Sequence, residues 1–232
     1  MVLLISLVGT LVLLLSLTPG LFLPTSLPVL LRTLIVALIA VTALSPLFAI
    51  AFDISLRICL RQEITSDSFL QAVRQYGGTA IRLGLIHLGV AALTALNVTF
   101  YLHLPGLAGR AIVLLCLYLL LFWGMMALYQ GPLLVLQETG AFDEPDRQAK
   151  RGAMAVIRRS FFLVIGEPLF SIGLLLAVVF WSAAALLTAV GAAMLWPGGA
   201  CLLITAPTLA LLAKYGVIVP VAYDDAPPLK EA

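Results

Sequence analysis

The constraint that decides most about this chain is where its charges sit. Its 232 residues carry 13 Lys or Arg and 11 Asp or Glu, and most fall between long apolar runs or at their edges. An apolar run of about 20 residues is long enough for an α-helix to cross a bilayer. Composition agrees: 62% of residues are hydrophobic, 10% are charged and mean hydropathy is +1.15, against about 45–50% apolar and about 25% charged in soluble domains. A soluble chain this apolar has too little polar surface to cover itself, whereas a lipid-facing one needs none. The expectation is an all-α, polytopic transmembrane helical bundle.

Six runs can be read. They are Met1 to about Leu17, closed by Thr18-Pro19-Gly20; Val29 to about Leu56, with Pro46 inside; Thr79 to Leu102; Ala108 to Glu138-Thr139-Gly140, passing Pro132; Phe161 to Val190; and Met194 to Val219, opened by Trp196-Pro197-Gly198-Gly199. Residues 1–221 then form one transmembrane domain, and 222–232 a polar, proline-bearing tail. No basic region precedes the first run, so it is expected to stay as a span. With both termini cytoplasmic, the inner connections and span ends hold Arg57, Arg61, Arg74, Arg82, Arg147, Lys150, Arg151, Arg158, Arg159, Lys214 and Lys230. Only Arg32 and Arg110 stay outside, near span ends where they can snorkel. Cytoplasmic loops collect Lys and Arg, so about six spans in a cell membrane, N-in and C-in, fits the charges. Five spans would put one basic cluster outside.

Two connections read as short amphipathic helices on the cytoplasmic side. In the first, Phe69, Leu70, Val73 and Tyr76 recur at helical spacing, with Gln71, Arg74 and Gln75 opposite. In the second, Asp143 is an N-cap candidate, and Ala149, Ala153, Val156 and Ile157 form an apolar stripe beside Arg147, Lys150 and Arg151. Each either lies on the membrane surface or extends the next span inward. Ser45-Pro46-Leu47-Phe48 and Gly131-Pro132-Leu133-Leu134 precede these segments, which suggests a weak duplication of 27–102 and 108–190.

That order carries a resemblance. A Pro-Leu turn at Ser45 to Ala51 is followed by a basic stretch at Arg57 to Gln62. A Phe-x-x-x-x-Arg helix at Phe69 to Arg74 leads to a span ending near Asn97 to Tyr101. Later come Gly131-Pro132-Leu133-Leu134, a basic Ala-rich helix and Glu167-Pro168-Leu169-Phe170. From about Leu27 to Leu187 the chain resembles the YesL-like family of bacterial integral membrane proteins, a domain of unknown function. The resemblance implies a small helical membrane protein, sometimes encoded beside carbohydrate uptake or degradation, and no catalytic residues. The chain departs from it in lacking a polar lead-in to the first span.

Few side chains suggest chemistry. Asp53 and Arg57 are four apart, acid first, the better order for a helical ion pair, and Arg61 continues that face. They read as an anchor at a helix end, or as an anion site at the cytoplasmic mouth. Glu167 precedes Pro168 and is expected to pair with Arg82 or Lys214. His87 lies mid-run as a hydrogen-bonded packing residue. His103 is 16 residues further along one helix, about 24 Å, so the two cannot ligate one haem. Thr94 and Asn97 are candidates for interhelical hydrogen bonds. Cys59, Cys116 and Cys201 are too scattered for a disulfide framework or a metal motif. No zincin, nucleophile-elbow, Walker or dinucleotide-binding signature occurs. The expectation is a non-enzymatic accessory or scaffold protein without cofactor, metal or nucleic acid, held in the lipid bilayer and packing against a larger complex or itself. The alternative is a small transporter or channel component with a polar site near the cytoplasmic side.

Overall fold

The computed structural model describes residues 29–62, 66–104, 106–139, 152–187 and 196–216. Among these there are helices and no strands. The helices are α1 (Val29–Cys59), α2 (Ser66–Leu102), α3 (Leu107–Thr139), α4 (Ala153–Gly166), α5 (Pro168–Leu187) and α6 (Trp196–Lys214). Four of them, α1, α2, α3 and α5, are long and apolar enough to cross a membrane, and the apolar part of α6, Gly198–Lys214, is shorter. The first apolar run, the Asp143 cap and the polar tail lie outside the described residues.

Polar groups inside apolar helices must find partners locally, and here the hydroxyls turn back onto their own backbone. Ser45, Ser55, Thr94, Thr99, Ser182, Thr205 and Thr208 each donate to the carbonyl four residues earlier, at 2.6–2.8 Å. Asn97 does the same to Leu93 at 2.9 Å. Thr94 and Asn97 therefore do not bridge helices in the way their positions suggested; the i−4 carbonyl is already within reach. Pro46 and Pro132 sit inside α1 and α3, which continue past them.

Two expected segments take a different form. The first amphipathic stretch is the N-terminal part of α2, one of the alternatives the sequence left open. The fifth apolar run is two helices, α4 and α5, meeting at Glu167. Pro168 has no N–H and suits the first turn of a new helix. Glu167 leaves helical geometry (φ −136°, ψ 67°) while its N–H still reaches the Leu163 carbonyl. The joint is thus a helix stop and restart rather than a kink. α1 closes with Gln62 N–H on the Arg57 carbonyl and Arg61 N–H on Ile58, with Arg61 at φ 53°. This is a Schellman cap with arginine where glycine is usual, so Arg61 does not continue the Asp53 and Arg57 face.

α3 touches every other described helix. At ~1.5 Å per residue, the 37 residues of α2 and 33 of α3 reach roughly 55 and 50 Å, beyond the ~30 Å hydrocarbon core of a bilayer. At one end the C-terminal parts of α1 and α3 meet the N-terminal part of α2. The tightest packing is there too: Ile50, Tyr76, Tyr129, Leu133, Val135, Val156 and Val164 are all buried. Gly131 lets α1 and α3 approach so closely that a Cβ would stand 2.2 Å from the Phe52 ring. The opposite half is open: Leu93, Phe100 and Leu114 are 64%, 64% and 67% exposed. Such a surface suits hydrocarbon and not water.

Candidate functional site

The polar side chains held inside the bundle form several small clusters at its densely packed end. α1 and α2 build the first. Asp53 is 2% exposed, and its Oδ2 accepts from Arg57 Nε at 2.8 Å, one helical turn on. Its Oδ1 accepts from Tyr76 Oη at 3.2 Å. The carboxylate is satisfied by one cation from its own helix and one hydroxyl from the neighbour. A buried carboxylate needs such partners.

α3 builds the others. Gln75 of α2 donates to the Glu138 carbonyl at 2.8 Å, and Thr79 to its carboxylate at 3.4 Å, which satisfies a backbone acceptor at a helix C-terminus. Gln137 accepts from Arg159 at 3.2 Å and reaches the Gly152 carbonyl at 3.5 Å. Tyr129 and Ser171 lie 2.9 Å apart. Ser171 gives its own proton to the Glu167 carbonyl at 2.9 Å, so Tyr129 is the donor. The Glu167 carboxylate pairs with Lys214 and accepts from Tyr215 Oη at 3.0 Å. The Lys214 ammonium, then the Tyr215 hydroxyl, hold the Glu167 carboxyl below its usual range. Lys214 is 63% exposed, so solvent screens this pair.

His87 sits apart from these clusters, between Trp123 and the Gln130 amide. Trp123 Nε1 donates to its Nδ1 at 2.9 Å, with the rings edge to face. An indole N–H can only donate, so Nδ1 accepts and the ring proton sits on Nε2. Gln130 is 1% exposed. Its amide nitrogen makes a long 3.5 Å bond to Ser160, and its side chain adjoins the His87 ring, although its Oε1 is not in good hydrogen-bond geometry.

Of the residues the sequence singled out, Asp53 meets Arg57, and Glu167 meets Lys214. Arg82 is exposed and does not join Glu167. His87 has a packing partner in Trp123, and these groups do not converge on one another. Tyr76 was read only as part of an apolar stripe, and Trp123, Tyr129, Gln130 and Gln137 were not singled out. A signal existed for two of them: Gln130 and Gln137 are amides seven residues apart, hence on one face of an otherwise apolar helix. Among the described residues no three potential metal ligands cluster. No family model matches the chain, and neither a curated protein nor a solved structure does.

Proposed function

We propose that this protein is a non-catalytic membrane accessory or scaffold, with no cofactor, that packs against a partner membrane protein or a second copy of itself. The observation that carries this reading is how the interior polar groups are used. Asp53, His87, Glu138 and Glu167 each close on their own neighbours, so among the described residues they line no common path for a solute. Polar groups on a translocation route usually face a cavity and one another. The broad apolar flanks leave room for lipid or another helix to pack beside the bundle in the plane of the membrane. The resemblance to the YesL-like proteins belongs to the same proposal and rests on the order of residues alone.

We place the chain in the cell membrane with six crossings and both termini in the cytoplasm, so that the densely packed end faces inward. The support is charge: Arg57, Arg74, Arg82, Arg159 and Lys214 all lie toward that end or on the helices that form it, as the inward bias of basic residues requires. Placement is tested by thiol labelling of Ser68→Cys and Gln148→Cys in a background without Cys59, Cys116 and Cys201. Both sites are expected to be shielded in intact cells and labelled after permeabilisation; opposite accessibility would overturn the placement. The scaffold reading is tested by purification in mild detergent with identification of co-purifying chains and of oligomer mass. A stable complex or oligomer is expected. A strict monomer that conducts a solute in proteoliposomes would favour the transport reading instead.

A further inference from the structure

A groove of about 590 Å³ opens between α2, α3 and α4, a size typical of small-ligand sites. Its walls are Leu93, Leu119, Phe122 and Met126, with Ile157 and Phe161 from α4. Thr94 and Asn97, on its α2 wall, bond their own helix. α4 meets α3 between Phe122 and Gln137, so it lines the end of the groove nearer Met126. The far end runs out between Asn97 and Cys116. From Met126 to Cys116 is about 15 Å of helix, which is half the ~30 Å hydrocarbon core and so the depth of one leaflet.

One cation stands at the α4 end. Arg158 lines the groove and is exposed, with its guanidinium 5.8 Å from the centre of the Phe162 ring. No carboxylate among the described residues pairs with it. An apolar slot one leaflet deep, closed at one end by an aromatic-backed guanidinium, matches an acyl chain with a phosphate above it. Guanidinium groups bind phosphate in a bidentate way.

We propose that this groove is a binding site for an anionic phospholipid of the cytoplasmic leaflet, with one acyl chain between α2 and α3 and the headgroup phosphate on Arg158. The proposal rests on the membrane placement given above, and it deepens the scaffold reading by giving that scaffold a structural lipid. The α4 helix, which contacts lipid and α3 together, then reports the headgroup to the packed end of the molecule.

The test is native mass spectrometry of the delipidated full chain in mild detergent, titrated with dioleoyl phosphatidylglycerol or dioleoyl phosphatidylcholine. Wild type is expected to retain the anionic lipid about fivefold better, the effect of one basic group near an anionic surface. Arg158→Ala removes that preference, and Arg158→Lys keeps part of it. A second readout uses Cys116, with Cys59 and Cys201 replaced by alanine: bound phosphatidylglycerol slows its alkylation by a maleimide, and Arg158→Ala restores the rate. Free inorganic phosphate is expected to leave that rate unchanged. Equal retention of both lipids by wild type overturns the proposal. So does a Cys116 rate insensitive to lipid, or a lipid-free dimer in which a second copy protects Cys116. A chain found in membranes that retains no lipid sinks the groove site while leaving the membrane placement intact.

Discussion

Single residues show where this bundle tolerates polarity and where it does not. Asp53 is the most heavily committed: it is buried, yet it serves both Arg57 and Tyr76. Asp53→Ala leaves a guanidinium and a phenol without their acceptor and is expected to cost about 1–3 kcal/mol. Arg57 can turn partly to solvent, which keeps the loss from being larger. Tyr76→Phe removes one donor from a carboxylate that keeps its arginine, so its effect is smaller than that of Asp53→Ala. Denaturant unfolding in detergent micelles checks the order; equal losses for both substitutions would show that the arginine carries none of the stabilisation. Gln130 is the reverse case. Its side-chain oxygen is buried without a partner, a costly state in an apolar interior. Gln130→Leu is expected to raise stability by about 1 kcal/mol. A fall in stability instead would mean that the oxygen is bonded by the adjoining His87 ring.

At the scale of elements, the sequence was most legible where a helix carries one unbroken apolar run. Leu102, with His103 and Pro105 beyond it, does end α2, and Glu138-Thr139-Gly140 marks the end of α3. The Asp53 and Arg57 pair was also legible, from i,i+4 spacing, while charge and topology narrowed the partner of Glu167 to Arg82 or Lys214 without choosing Lys214. The break at Glu167 was not recognised, although Gly166-Glu167-Pro168 marks it in the sequence, because the mean hydropathy of Phe161 to Val190 passes over a three-residue interruption. Nor could periodicity reveal Tyr76 as the partner of Asp53, since that contact joins residues 23 positions apart on different helices. Close helix contacts were equally hidden. Gly131 looks like one more small residue beside Pro132, but a Cβ there would meet three atoms of the Phe52 ring within 2.6 Å. Gly131→Val is expected to cost about 1–3 kcal/mol by overpacking, measured by thermal melting in detergent. Gly89→Ala, with nothing within 4 Å of the new Cβ, is the control and is expected to leave the midpoint where it is or raise it. Equal midpoints for the two variants would place the α1–α3 contact elsewhere.

The whole molecule is fastened at one end. α6 packs on α1 and α3, and the Glu167, Lys214 and Tyr215 cluster ties the start of α5 to the end of α6. The Glu167 carboxyl is held low by its partners, so its contribution is present above the ordinary value near 4.5 and fades as pH falls through its lower folded value. A ¹³C titration of Glu167 is expected to give a midpoint below 4.5 that rises toward it in Lys214→Met; a wild-type midpoint at or above 4.5 would deny the pairing. Salt is expected to raise the midpoint as well, because the pair is exposed to screening. The helix lengths have a last consequence. Under the proposed placement, the firmest part of the protein comes from the portions of α1, α2 and α3 that outrun the oil. Lipids with shorter or longer tails would then splay or tilt the distant ends and hardly touch that knot, so heat resistance would be nearly indifferent to membrane thickness even as the helices lean differently.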